Sequence, residues 1–177
     1  MKHILFILII SISNNFIFAQ NYSIKLKSSL IESINKHNVY NIKKNGHYLM
    51  TFSSIPNQDE KNEMESIGIN FLEYIPNKTY VVYSSKILSY DDFLVYNLYS
   101  ITKIMPSFKI DPKISKNPLP KWAFFDNKLH VKILIYKYVN LNIVNENLSS
   151  INSFSVLSID NLNNNIIGSL NPEDLHL

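Results

Sequence analysis

Helix and strand signals in the order strand, helix, strand, strand, helix, strand, completed once and then begun again, assign this chain to the α+β class. Three observations carry the assignment. A hairpin stands at residues 69–83, where Ile, Phe, Tyr and Val fill both flanks of Pro76-Asn77, a fixed φ followed by a residue that tolerates left-handed backbone. A helix start lies on each side of it, Asn57 three residues before Glu60 and Ser89 three before Asp92, both at capping-box spacing. The same order then restarts beyond a proline-punctuated stretch.

Met1 to Gln20 has the pattern of a secretory signal: Lys2 and His3 open it, Ile4–Ile12 forms a short apolar core, and Phe18-Ala19-Gln20 offers cleavage after Ala19. Asn14 and Asn15 end the apolar run short of the roughly 20 residues a spanning helix needs, so no stable membrane anchor is expected after cleavage. Residues 20–45 read as a leader, with a short amphipathic helix over Ser28–Lys36 carrying Leu30, Ile31 and Ile34 on one side.

The first module is expected over residues 46–107. His47–Phe52 alternates as a strand with Tyr48, Met50 and Phe52 on one face. A helix follows over Gln58–Ser66 with Gly68 as its stop. After the hairpin, a second helix carries Phe93, Leu94 and Leu98 inward, and Ser100–Met105 closes the sheet before Pro106. The expected product is a four-stranded antiparallel sheet with two helices on one face. Residues 108–127, with Pro112, Pro118 and Pro120, predict an extended linker.

A second module begins at residue 128. Leu129, Val131, Ile133 and Ile135 alternate with His130, Lys132, Leu134 and Tyr136; Leu141, Val144, Leu148 and Ile151 follow at helical spacing. Phe154–Ser158 and Asn164–Ser169 predict a hairpin across Asp160–Asn163, and Asn171-Pro172-Glu173-Asp174 a helix start. On this reading the second copy is incomplete, with a helix and a strand still to come and an unpaired sheet edge.

Composition narrows the function classes. A hydrophobic share of 46% against 18% charged fits a folded chain and excludes a disordered one. The net charge is +3 and every basic side chain other than His is Lys, so the planar forks that grip phosphate and guanine are missing and nucleic acid is not an expected partner. With no cysteine there are no disulfides, thiolate metal sites or cysteine nucleophiles.

The segment Ser66–Tyr80, with its Tyr74-Ile75-Pro76-Asn77 centre, resembles the pro-region of secreted subtilisin-like serine peptidases of Bacteroidetes-type bacteria, and Ile101–Ile110 resembles that pro-region's closing strand and exit. The resemblance covers residues 44–115 and extends over 128–177 by pattern alone. It implies a ferredoxin-like βαββαβ sandwich of the inhibitor-I9 type, one complete module followed by an incomplete second. It further implies a partner, the subtilisin-like protease domain, bound in cis if the frame continues and otherwise in trans. An extended tail could lie in a substrate cleft as an added strand, and Phe108, Lys109 and Ile110 are the candidate docking residues.

Catalysis is not expected. The three glycines, Gly46, Gly68 and Gly168, lie outside any Asp, His or Ser motif of subtilisin-like type. The five histidines, His3, His37, His47, His130 and His176, are scattered with no metal-ligating spacing, so neither a metal nor another cofactor is expected. Asp59-Glu60, Asp91-Asp92 and Glu173-Asp174 fall in first helical turns, where negative charge is favourable without any catalytic role. The cluster Trp122-Ala123-Phe124-Phe125 is expected to pack between the two modules, with a docking patch as the other reading. The rival to the pro-region reading is an exported interaction protein with an α+β sandwich unrelated to proteolysis.

Overall fold

The computed structural model describes residues 24–26, 30–31, 42–87, 89, 91–114 and 118–175. The signal segment with its cleavage pair Ala19 and Gln20, and also His3, His37 and His176, lie outside the described residues. The fold is α+β: two four-stranded antiparallel sheets, each with one α-helix, and a two-stranded ribbon near the start.

The ribbon pairs β1 (Ile24–Lys25) with β2 (Leu30–Ile31). This overturns the expected helix at Leu30 and Ile31: β-branched Ile at either end of the pair suits a pleated surface better than a helix.

The first sheet contains β3 (Gly46–Phe52), β4 (Ile69–Ile75), β5 (Thr79–Ser84) and β6 (Leu98–Lys103), in the spatial order β4-β5-β3-β6. Helix α1 (Gln58–Ser66) connects β3 to β4. Its start is the expected capping box: Glu60 N–H donates to Asn57 Oδ1 at 2.9 Å and Asn57 N–H donates to Glu60 Oε2 at 2.7 Å. Its stop is Gly68, at φ +105, a conformation that a Cβ would strain. The β4–β5 turn uses left-handed backbone at both Asn77 and Lys78.

The second connection differs from expectation. Asp91–Tyr96 forms a 3-10 helix instead of an α-helix, although the cap is present: Asp92 Oδ2 accepts from the Ser89 N–H at 2.6 Å and from Ser89 Oγ at 3.0 Å. The left-handed Asn97 ends it within two turns. Leu98 consequently belongs to β6, which starts two residues earlier than the predicted closing strand. The side chains of Phe93 and Leu94 lie outside the described set.

The two central strands, β3 and β5, bury both faces because each face is covered by other elements. On the front face Tyr48, Met50, Phe52, Tyr80 and Val82 pack with Met64 of α1, Ile69 and Ile101. On the back face Leu49 and Val81 join Ile24 and Ile104. Alternation thus fixes two cores, not one with a solvated reverse.

The expected extended linker is largely folded. Pro106–Lys109 and Lys121–Ala123 are 3-10 turns, and β7 (Phe124–Phe125) pairs with β8 (Lys128–Leu134) across Asp126-Asn127. Both of those turn residues have positive φ, the geometry of a tight two-residue hairpin.

The second sheet is ordered β7-β8-β10-β9, with α2 (Leu141–Ser149) capped by Asn140 between β8 and β9 (Phe154–Asp160), and β10 (Asn165–Leu170) inside. Asp160 builds the β9–β10 turn: Oδ1 accepts from the N–H groups of Leu162 and Asn163, and Oδ2 from the Asn163 and Asn165 amides. These bonds, those from Asn163 foremost, hold its carboxyl below the usual carboxylate range. The expected helix start at Asn171-Pro172 gives one 3-10 turn, Pro172–Asp174.

Candidate functional site

The best-built surface is the back face of the first sheet and its cover. Three elements meet there. The ribbon contributes Ile24 and Leu26, the turn after β6 contributes Phe108, and the loop after β8 contributes Tyr136, all packed against Leu49, Val81 and Ile104. Two rows of polar groups flank this apolar patch.

One row runs across β5, β3 and β6. Thr79 and Thr51 lie opposite each other and share a buried hydrogen bond of 2.9 Å between their hydroxyls. Ser100 sits opposite Thr51 on the other side, also buried, and its hydroxyl has no hydrogen-bond partner among the described residues.

The other row is aromatic and joins the two sheets. His47 at the start of β3 stands beside Tyr83 of β5, its direct cross-strand neighbour, with ring centroids 5.1 Å apart. Tyr136 stacks on His47 at 5.1 Å and 21°, and Tyr138 stacks on Tyr83 at 4.6 Å and 20°. His47 Nε2 donates to the Lys137 carbonyl at 3.0 Å, which requires the tautomer with its proton on Nε2. The Tyr138 hydroxyl donates to Asn70 Oδ1 at 3.4 Å. Tyr138 reaches this position through a left-handed backbone at φ 71.

Burial pushes the His47 pKa down, the Lys137 carbonyl opposes that shift, and the Lys109 charge adds to it. Burial pushes the Tyr136 phenol up, with the Glu73 carboxylate acting in the same direction. Beside these two stacks, which form a clasp between the sheets, Phe71, Leu72, Glu73, Ile135, Tyr136 and Lys137 line a shallow cleft of about 280 Å³. Its chemistry is adhesive: ring faces, one carboxylate, one ammonium and backbone groups.

The predicted docking residues fall partly inside this assembly. Phe108 is half-buried in the back-face cluster, Lys109 is exposed, and Ile110 is half-buried beyond the 3-10 turn that holds the first two. The expected inter-module role of Trp122-Ala123-Phe124-Phe125 is corrected. Trp122 is 76% exposed beneath the Lys113 ammonium, Ala123 is buried under β8, and Phe125 edges onto His130. Packing between the modules falls instead to Tyr136, which the strand alternation of 129–136 assigns to an ordinary sheet face, and to Tyr138 just beyond it. A Tyr-Lys-Tyr run just past a strand was the available signal.

One acid of each pair is bonded at the start of its own helical segment. Glu60 and Asp92 close their own helix starts, and Asp174 Oδ2 accepts from the Asn171 amide at 3.1 Å. Among the described residues no group of three His, Cys, Asp or Glu side chains is placed to hold a metal ion, and no helix is long and apolar enough to cross a membrane.

A family model described as a domain of unknown function (DUF8729) matches residues 15–95, somewhat less than half of the chain. That stretch carries the ribbon, β3, α1, β4 and β5, and ends before β6. No curated protein and no solved structure matches the chain. Over the ribbon and three strands of its first sheet, therefore, the chain is similar to a domain family whose function is unknown.

Proposed function

We propose that this is an exported, non-catalytic module of the kind found as the pro-region of subtilisin-like serine proteases. It is a ferredoxin-like unit followed by a second four-stranded sheet with its own helix, acting on a protease domain in cis or in trans as inhibitor or folding helper. The observation that carries the reading is the strand order β4-β5-β3-β6 with α1 crossing between the first two strands in sequence. A βαββαβ unit gives that order when each crossover lies on one face. The segment that resembles the pro-regions, Ser66–Tyr80, runs from the end of α1 into β5 and so forms the hairpin on one side of that sheet.

The test is titration of the full chain, freed of its signal segment, into a subtilisin-like protease from the same organism. Submicromolar inhibition supports the reading, and no effect on any such protease from a folded sample removes it.

The covered back face favours a second reading, an exported interaction protein unrelated to proteolysis. A sheet face that docks on a protease must be open, and here Tyr136, Phe108 and Ile24 occupy it. The two readings separate on one variant. If the back face docks, replacing Tyr136 and Tyr138 by Ala raises inhibitory potency; if it is only a core, the replacement lowers stability and leaves the protease untouched.

A further inference from the structure

We propose that the outer edge of β8 is a docking edge for an extended peptide segment that is mostly apolar and carries a carboxylate opposite Lys132. This inference is independent of the protease reading and rests on the second sheet.

Each sheet has two outer strands, and an outer strand exposes unpaired N–H and C=O groups unless something blunts it. Three candidates for such an edge are bent by a bulge: Leu72 is the extra residue in β4, Tyr99 in β6 and Leu157 in β9. Strand β8 has no bulge in its pairing with β10. Its other side is paired by β7 only at Lys128 and Leu129, because the chain before Phe124 turns off into the 3-10 helix Lys121–Ala123.

The phase of the ladder tells which groups are free. The Ile135 N–H donates to the Asn164 carbonyl at 2.8 Å, so the odd-numbered residues of β8 bond to β10. The even-numbered ones turn outward. Among the described residues no strand lies beside Lys132 and Leu134, which leaves a short ladder of two N–H and two C=O groups.

Side chains define the occupant. Val131 and Ile133 share one side of the sheet with Leu129 and Ile166, and both are only half-buried, as are Leu141, Val144 and Leu148 of α2. Among the described residues of the second module only Ala123, Leu129 and Ile166 are buried apolar side chains, so an added strand with apolar residues on that side would complete a thin core. On the opposite side stand Lys132, exposed, and Leu134, 74% exposed. A second copy pairing antiparallel about Lys132 would bring two ammonium groups together, which like-charge pairing disfavours. A carboxylate at that place is favoured for the same reason, and main-chain bonds with alternate pockets are the usual terms of strand addition.

The experiment uses the full chain and three labelled peptides: alternating Val and Glu, alternating Val and Lys, and the Val/Glu composition with a central Pro. Fluorescence anisotropy is expected to show binding of the first alone, with amide protection gained at Lys132 and Leu134. In Lys132→Glu, whose exposed site leaves folding intact by circular dichroism, the preference is expected to reverse, with about tenfold loss for the Val/Glu peptide. No binding, equal binding of the Pro peptide, indifference to Lys132→Glu, or protection confined to β9 would each overturn the proposal. So would a dimer of the free chain in sedimentation that Lys132→Glu dissolves, since the occupant would then be a second copy. Loss of protease inhibition with edge binding intact would remove the earlier reading and leave this one standing.

Discussion

Removing the stack between His47 and Tyr136 tests whether the two sheets form one cooperative unit. Tyr136 is half-buried in the back-face cluster and stacks on His47 at 5.1 Å. Fully burying a Phe-sized side chain is worth roughly 1.5–3 kcal/mol, so half of that gives about 1 kcal/mol. An aromatic pair adds about 0.5–1.5 kcal/mol beyond burial. Tyr136→Ala is therefore expected to cost about 2 kcal/mol. His47→Ala loses the same stack and also the donor that meets the Lys137 carbonyl, for a cost of about 1–2 kcal/mol. Because both variants delete one shared contact, the double variant should cost less than the sum by about 1 kcal/mol, close to a fivefold factor. Urea unfolding of the four proteins, with the slope m compared throughout, measures this. Additivity to within about 0.3 kcal/mol would refute the reasoning, because rings that touch without coupling cannot tie two modules together.

Three further outcomes are expected. Acidification should weaken the fold through His47: its folded pKa is lowered, so below the ordinary value of 6.5 the unfolded chain takes the proton first, and stability falls from there until the folded pKa is passed; His47→Gln should flatten that part of the pH profile. Hydrogen exchange should find residues 46–106 strongly protected and 128–175 fast, because both buried clusters belong to the first module; equal protection would contradict the thin second core. Ser100→Ala should be neutral or stabilise by up to about 1 kcal/mol in thermal or urea unfolding, since the hydroxyl it removes is buried without a partner; a loss above that size would mean the hydroxyl is bonded.

Local chemistry was legible in the sequence wherever one turn or cap decided the outcome. Asn57 and Glu60 are spaced to satisfy each other's backbone groups, and Gly68 alone accepts its φ, so α1 could be bounded from residue types. The front-face trio Tyr48, Met50 and Phe52 followed from period-two alternation. What was not legible depended on partners distant in sequence. Leu49 and Val81 read as the solvent side of their strands until Ile24, Phe108 and Tyr136 arrive to cover them. Ser89 and Asp92 do form a cap, yet a cap only starts a helix; its continuation as 3-10 was set by the left-handed Asn97 and by Leu98 joining β6. Asp126-Asn127 was a two-residue hairpin signal hidden inside a stretch read as linker because of its prolines.

These placements constrain how any partner can bind. A chain without cysteine has only packing to join its modules, and here the joint is aromatic: two stacks and two hydrogen bonds from one loop. A partner that needs the back face must first displace Tyr136 and Tyr138. Two aromatic pairs at about 0.5–1.5 kcal/mol each, with the burial of Tyr136, set that cost at about 2–4 kcal/mol, which weakens apparent affinity by roughly 30- to 1000-fold. The front face is closed by Met64 of α1 and its neighbours and has no such hinged cover. Edges cost far less. Outward backbone groups of Lys132 and Leu134 give up only water when a strand arrives, and the residues beside them gain burial instead of losing it. On the edge-docking proposal, first contact falls on β8, and only a partner strong enough to displace Tyr136 and Tyr138 reaches the back face.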